Sequence, residues 1–178
     1  MKTLQIHDKT FRIFIDETTI LERVNALANR IEADYSEEPP LFIAVLNGSF
    51  IFAADLLKRV QVPCEIQFVK VSSYHGTQST GKVQQVLGLS QSIQNRKVII
   101  IEDIIDSGLT IDFLQKELQL QNPASIAICS LLVKPKALKV PLDVSYLGFE
   151  VENHFLVGYG LDYDGLGRNL PHLYQVTE

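Results

Sequence analysis

The sequence predicts an α/β fold, a central, largely parallel twisted sheet flanked by helices. Strand-like and helix-like segments alternate along most of the chain. Two continuous apolar runs, "LFIAVL" (41–46) and "VIII" (98–101), suit parallel strands buried on both faces. Three strand ends run into polar or glycine-bearing turns: "NGS" (47–49), "EDIIDSGLT" (102–110) and the stretch after "SLLV" (130–133). Sheets of this kind bind ligands outside the carboxyl ends of their strands, so the three turns propose one site.

The elements follow in order. "FRIFID" (11–16) alternates as a short strand and places Asp16 as an N-cap. Behind it Ile20, Leu21, Val24, Leu27, Ala28 and Ile31 share one helical face, until "SEEPP" (36–40) stops the helix. "LFIAVL" is a buried strand, and "NGS" turns it into the helix-like "FIFAADLLKRV" (50–60). The strand "CEIQFVKVSSY" (64–74) leads to the polar "HGTQSTGK" (75–82), from which "VQQVLGLS" (83–90) returns. "KVIIIED" is followed by a helix from about Thr110 to Gln121, closed by "NP", and by the strand "SIAICSLLVK" (125–134). "DVSYLGFE" (143–150) and "FLVGYGL" (155–161) are further strands.

With 178 residues the chain is expected to form one domain, since a second would be cramped. A hydrophobic fraction of 46% and a charged fraction of 21% are those of an ordinary soluble protein. No apolar run approaches the ~20 residues that span a bilayer, and "MKTLQIHDKT" has no signal-peptide core. Cys64 and Cys129 lie in apolar surroundings, as free thiols in a reducing cytoplasm would. A cytoplasmic protein without a membrane partner is therefore expected. The net charge of −5 argues against a nucleic-acid partner, and an anionic ligand would need a divalent metal or backbone dipoles for compensation.

The densest chemistry lies in "KVIIIEDIIDSGLT" (97–110). Asp106, Ser107, Gly108 and Thr110 form a turn that opens a helix, where unpaired N–H groups and the helix dipole favour an anion. Two readings of that turn stand level: a bound phosphate, or a helix capped by Ser107 or Thr110 with Asp106 near the dipole. Glu102 and Asp103 are harder to accommodate. Neighbours in a strand point to opposite faces, so one acid would meet packed helices unless the strand has ended. Acids at a strand's lip that bind a polyol or a hydrated metal fit better, which makes a phosphorylated sugar the ligand.

Four apolar residues, two acids, two apolar residues, Asp, Ser-Gly and a Thr two positions on resemble the phosphoribosyl-pyrophosphate (PRPP) signature of type I phosphoribosyltransferases. "LNGSF" (46–50), "SSYHGTQSTG" (72–81), "SLLVK" (130–134) and "FLVGYGLDYDGLGRNLP" (155–171) narrow the resemblance to the hypoxanthine-guanine phosphoribosyltransferases. It covers roughly Leu41 to Pro171 and implies that family's fold, with a core over about 16–165 and a small hood built from the chain termini. It also implies purine salvage: the 5-phosphoribosyl group of PRPP passes to N9 of hypoxanthine or guanine, giving IMP or GMP and pyrophosphate, with Mg2+ as cofactor. A homodimer or homotetramer is the family's usual assembly.

Carried over by resemblance, Asp106, Ser107, Gly108, Leu109 and Thr110 hold the 5′-phosphate. Glu102 and Asp103 take the ribose hydroxyls beside a magnesium ion, and their charge favours a cationic sugar in the transition state. Asp106 is the general acid/base at N7 of the purine. Leu46, Asn47, Gly48, Ser73 and Arg168 bind pyrophosphate, and in the family the bond before the position of Asn47 can be a non-proline cis peptide. Ser73 and Tyr74 belong to a lid that excludes water, with Tyr74 counted as catalytic. Lys134, Phe155, Leu156 and Asp162 form the purine side, and Asp162 also binds a second magnesium. Read alone, "VKPK" (133–136) is the sequence of a solvated lysine. In the family that lysine donates to the 6-oxo oxygen, a role its three donors suit.

The sequence departs from the family pattern at Asn47, where lysine is frequent, which predicts a weaker pull on pyrophosphate. Gly165 and Gly167 are a second departure, expected to loosen the segment between Asp162 and Arg168. A xanthine-preferring transferase and a catalytically inactive PRPP- or nucleotide-binding regulator are the alternative readings. The presence of Asp106, Tyr74 and Lys134 together weighs for an enzyme.

Overall fold

The structure, a computed structural model, describes residues 3–73 and 83–177. The chain opens with a hairpin, β1 (Thr3–Ile6) and β2 (Lys9–Ile15), followed by α1 (Glu17–Asp34), β3 (Leu41–Leu46) and α2 (Phe50–Leu57). β4 (Glu65–Ser73) and β5 (Val83–Leu87) come next, then β6 (Lys97–Ile105), α3 (Leu109–Gln119) and β7 (Ser125–Val133). β8 (Tyr146–Glu150), β9 (Leu156–Val157) and β10 (Leu173–Val176) complete it.

The main sheet has the order β5-β4-β3-β6-β7-β8, with five parallel strands and β5 antiparallel at the edge, as the alternating pattern predicted. One face carries α1 and α2. Asp16 caps α1 by accepting a hydrogen bond from the Thr19 N–H at 2.9 Å. Ile20, Val24, Leu27, Ala28 and Ile31 bury the predicted stripe in a core shared with α2 and β8, while Leu21 stays partly exposed. Each such isoleucine or leucine contributes about 1.5–3 kcal/mol by leaving water. The other face packs Ile111, Leu114 and Leu118 of α3 on Val98, Ile100 and Ile128.

A second, antiparallel sheet of order β1-β2-β10-β9 joins the N-terminal hairpin to the C-terminal strand around Phe11 and Val157. It is the hood expected from the chain termini. Among the described residues, no helix is long and apolar enough to cross a membrane.

One local feature differs from expectation. β6 does not end at the acids but runs on to Ile105, with Glu102 and Asp103 inside it. The pairing of β6 with β7 steps from Glu102↔Ser130 to Ile104↔Leu132, and that of β7 with β8 from Ser130↔Leu147 to Leu132↔Phe149. Pairing thus lapses in one row, at Asp103, Leu131 and Gly148. The side-chain alternation changes phase there: Ile99, Ile101 and Ile104 pack toward α1 and α2, whereas Ile105 packs toward α3. The phase change lets adjacent acids line one cleft from within a strand, which strict alternation forbids.

Candidate active site

Beyond Ile105 the chain turns through Asp106, Ser107 and Gly108 into α3. Gly108 is the N-cap, at φ +79°, and its carbonyl accepts from the Asp112 N–H at 3.0 Å. The cap side chains considered from sequence, Ser107 and Thr110, are not used as caps; Ser107 Oγ accepts only a long bond, 3.4 Å, from the Leu109 N–H. First-turn N–H groups without helical partners therefore face outward at the positive end of the dipole. The Lys139 N–H donates to the Ser107 carbonyl at 2.9 Å and ties the turn to the segment after β7.

Glu102, Asp103, Asp106, Ser107, Gly108 and Thr110 share one cleft of about 240 Å3 with Leu46 and Gly48. Two of the three predicted turns therefore meet there. Glu102 and Asp103 are only 7% and 8% exposed. The Asp103 N–H donates to Glu102 Oε1 at 3.3 Å, and the Ile104 N–H to Asp103 Oδ1 at 2.9 Å. Burial, and then the neighbouring Asp103 charge, push the Glu102 carboxyl well above its ordinary range. Among the described residues neither acid has an ion-pair partner. Two buried carboxylates opening on a cleft suit a hard divalent cation that completes its shell with ligand oxygens.

That buried pair has a measurable consequence. A carboxyl whose folded-state pKa is raised holds its proton more tightly when folded, so its effect on stability is most favourable below the ordinary value of 4.5. That contribution is lost as the pH rises through the raised folded value. Glu102→Gln is expected to melt about 2–4 °C above wild type at neutral pH in the absence of ligand, a gain that vanishes in acid. A lower melting temperature at neutral pH would show that the pair stabilises the free protein.

Gly48 follows the Leu46–Asn47 peptide bond, which is cis, a geometry the resemblance allows. Its bare Cα lies against one of the protein's own carboxylates: a Cβ there would overlap Asp103 Oδ2 and lie 2.5 Å from Asp103 Cγ. Asn47 itself is exposed. Ser73 ends β4, while Tyr74 and the polar stretch 75–82 lie outside the described residues.

Lys134 leaves β7 with its backbone N–H bonded to the Ile105 carbonyl at 2.9 Å, and its side chain is largely buried. Its Nζ lies 3.1 Å from Asp106 Oδ2 and 3.4 Å from Asn153 Oδ1. That position, between the turn after β6 and the loop that leads from β8 to β9, is not that of a solvated lysine. Phe155 is 44% exposed and meets Tyr163 edge-on at 5.5 Å; Leu156 is buried in β9.

Asp162 and Arg168 pair with each other at 2.6 Å rather than joining the two buried acids. Asp162 also accepts from the Gly165 N–H at 2.8 Å, and Arg168 Nη1 donates to the Gly160 carbonyl at 2.7 Å. The two glycines do not loosen this segment. Asp164 and Gly165, at φ +47° and +85°, form a tight hairpin turn closed by reciprocal Tyr163–Leu166 bonds of 2.9 and 3.0 Å. Gly167 sits where a Cβ would overlap Val157 Cγ2. Sequence reasoning missed Asn153 and the Tyr159–Asp55 hydrogen bond of 2.7 Å, because neither belongs to a periodic or turn signal.

Residues 15–164 match the model of the phosphoribosyl transferase domain family. The hypoxanthine phosphoribosyltransferase of Buchnera aphidicola is 41% identical over 170 residues, covering 94% of this chain and 96% of that protein. The bifunctional protein TilS/HprT of Listeria innocua is 40% identical over 169 residues, and this chain spans only 26% of its length. A crystal structure of a Bacillus anthracis hypoxanthine-guanine phosphoribosyltransferase superposes with a TM-score of 0.89 at 41% identity, covering 93% of this chain and 98% of that one. Full-length identity near two-fifths and a shared backbone agree with the cleft chemistry: the chain belongs to the phosphoribosyltransferase family, in its hypoxanthine-guanine branch.

Proposed function

We propose that this protein salvages purines by transferring the 5-phosphoribosyl group of PRPP to N9 of hypoxanthine or guanine, releasing pyrophosphate. The observation that carries this reading is the single cleft in which two buried acids adjoin a helix N-terminal turn, with the Lys134–Asp106 pair joining that turn to the end of β7. An anion-binding turn alone would suit many phosphates. Acids one turn away suit a ligand with hydroxyls, a metal and a sugar that becomes cationic.

The N–H groups from Asp106 to Thr110 and the Ser107 and Thr110 hydroxyls cradle the 5′-phosphate. Glu102 and Asp103 accept hydrogen bonds from the ribose and favour positive charge developing at C1. Magnesium, bound by these acids together with ligand oxygens, supplies charge neutralisation for the departing pyrophosphate. N9 of the base bonds to C1 as the C1–oxygen bond to pyrophosphate breaks, the electron pair leaving with pyrophosphate. The Asp106 carboxylate takes the proton that the base must lose at N7. Leu46, Asn47 and Gly48 present backbone to the pyrophosphate end, and Arg168 and Asp162 close that side, Asp162 toward a second cation. Phe155 stacks on the purine and the Leu156 backbone reads its edge. The chain acts as one domain under its hood, in a homodimer or homotetramer in the cytoplasm.

Lys134 donates to the 6-oxo oxygen, while the 6-amino group of adenine would leave its buried donors unpaired. Lys134→Met is expected to lower kcat/KM for hypoxanthine by about a hundredfold or more, as a site that loses its polar partner does. Wild-type turnover of adenine at the rate of hypoxanthine would contradict this role.

Initial rates with PRPP, magnesium and hypoxanthine, guanine, xanthine or adenine test the whole reading. IMP and GMP formation is expected. Faster turnover of xanthine would shift the base preference, and PRPP binding with no turnover of any base would make the protein a regulator.

A further inference from the structure

α2 starts immediately beyond Gly48 and Ser49, and its Asp55 reaches the C-terminal segment 104 residues away. Asp55 Oδ2 accepts from the Tyr159 hydroxyl at 2.7 Å, while Oδ1 takes the Lys58 ammonium at 2.7 Å and lies 3.8 Å from Arg59. Tyr159 is 2% exposed and is held at φ +49° between Gly158 and Gly160, at +102° and +103°. A bulky residue keeps that conformation only where its surroundings impose it. The phosphoribosyl chemistry uses neither Tyr159 nor Asp55.

The neighbours of Tyr159 show what it holds. A Cβ on Gly160 would overlap the Gly48 carbonyl oxygen, and a Cβ on Gly48 would overlap Asp103 Oδ2. Gly160, Gly48 and Asp103 are therefore stacked backbone on backbone on carboxylate, with no room for a Cβ at either glycine. Arg168 joins the stack, its Nη1 donating to the Gly160 carbonyl at 2.7 Å and its own carbonyl accepting from the Gly160 N–H at 2.9 Å. We propose that Asp55 and Tyr159 are positioning residues, a latch that sets the Gly158–Gly160 segment over Gly48 and so registers Gly48 and Arg168 for the pyrophosphate end of the ligand and, behind Gly48, Asp103 for its sugar.

This inference rests on the PRPP reading of the cleft. The latch is polarised in a fixed sense. Burial, and then Asp55, push the Tyr159 phenol up, so it stays a donor. Burial alone would raise the Asp55 carboxyl, but Lys58, Tyr159 and Arg59 together outweigh it and hold the group below its ordinary range, so it stays an acceptor.

Tyr159→Phe removes only the hydroxyl. It is expected to raise KM for PRPP, and KM for pyrophosphate in the reverse reaction, by about five- to tenfold, the worth of roughly one hydrogen bond. KM for hypoxanthine should move by less than about twofold, a selectivity that general loosening of the fold would not produce. Asp55→Ala should repeat that rise without adding to it in the double variant, because the two groups act as one unit. Asp55→Asn keeps an acceptor and should stay within about twofold of wild type. An unchanged KM for PRPP in Tyr159→Phe, or an equal rise for hypoxanthine, would overturn the latch. Calorimetric PRPP binding by the same variants reads the latch separately: a wild-type protein that binds PRPP without turning over any base would sink the proposed activity, yet Tyr159→Phe must still weaken PRPP.

Discussion

Gly48→Ala is expected to abolish most phosphoribosyl transfer while leaving the protein folded. The added Cβ would occupy the position of Asp103 Oδ2 and come within 2.5 Å of Asp103 Cγ. Asp103 has little room to yield, because it is buried, accepts from the Ile104 N–H at 2.9 Å and adjoins Glu102. Nor can the turn retreat, since the Gly48 carbonyl already abuts Gly160. The strain should cost about 1–3 kcal/mol, an ordinary overpacking penalty. Its effect on chemistry is larger: a shift of about 1 Å in a group that must meet the sugar is worth about a hundredfold in rate. Initial rates at saturating hypoxanthine and varied PRPP, beside a thermal melt, check both halves. Activity within about tenfold of wild type would mean that Asp103 does not act at the reacting sugar.

Asp106→Asn should act on kcat and spare PRPP binding. Asparagine keeps the shape, the backbone N–H at the phosphate turn and an acceptor toward Lys134, which sits 3.1 Å from the carboxylate. What it loses is the capacity to take a proton from the base, a contribution of about 10²–10⁴ in rate. KM for PRPP should change by less than about threefold, because uniform binding is untouched. Steady-state kinetics in both substrates measures the split, and unchanged turnover would remove Asp106 from proton transfer.

Local signals and distant ones were not equally legible. The spacing of Ile20, Val24, Leu27, Ala28 and Ile31 revealed α1, and an unbroken apolar run revealed β3, because burial writes directly into periodicity. The turn from Asp106 to Gly108 was legible for the same local reason. The path of β6 past its acids was not, since it depends on a lapse in pairing shared with Leu131 and Gly148 on two other strands. Gly48 was legible as part of the turn after β3, but its close approach to Asp103, 55 residues on, emerges only from packing. Glycines in "DYDGLGR" suggested looseness by composition, whereas positive φ at Asp164 and Gly165 makes the tight turn those residues favour.

The central claim is that the acids and the anion-binding turn grip opposite parts of one ligand. Calorimetric titration of PRPP, with and without magnesium, into wild type, Thr110→Val and Asp103→Asn tests it directly. Both variants should weaken PRPP by about tenfold or more, as the loss of a charge-assisted hydrogen bond does, and only Asp103→Asn should flatten the dependence on magnesium. PRPP binding as tight as wild type in either variant would mean that the turn and the acids do not serve one ligand.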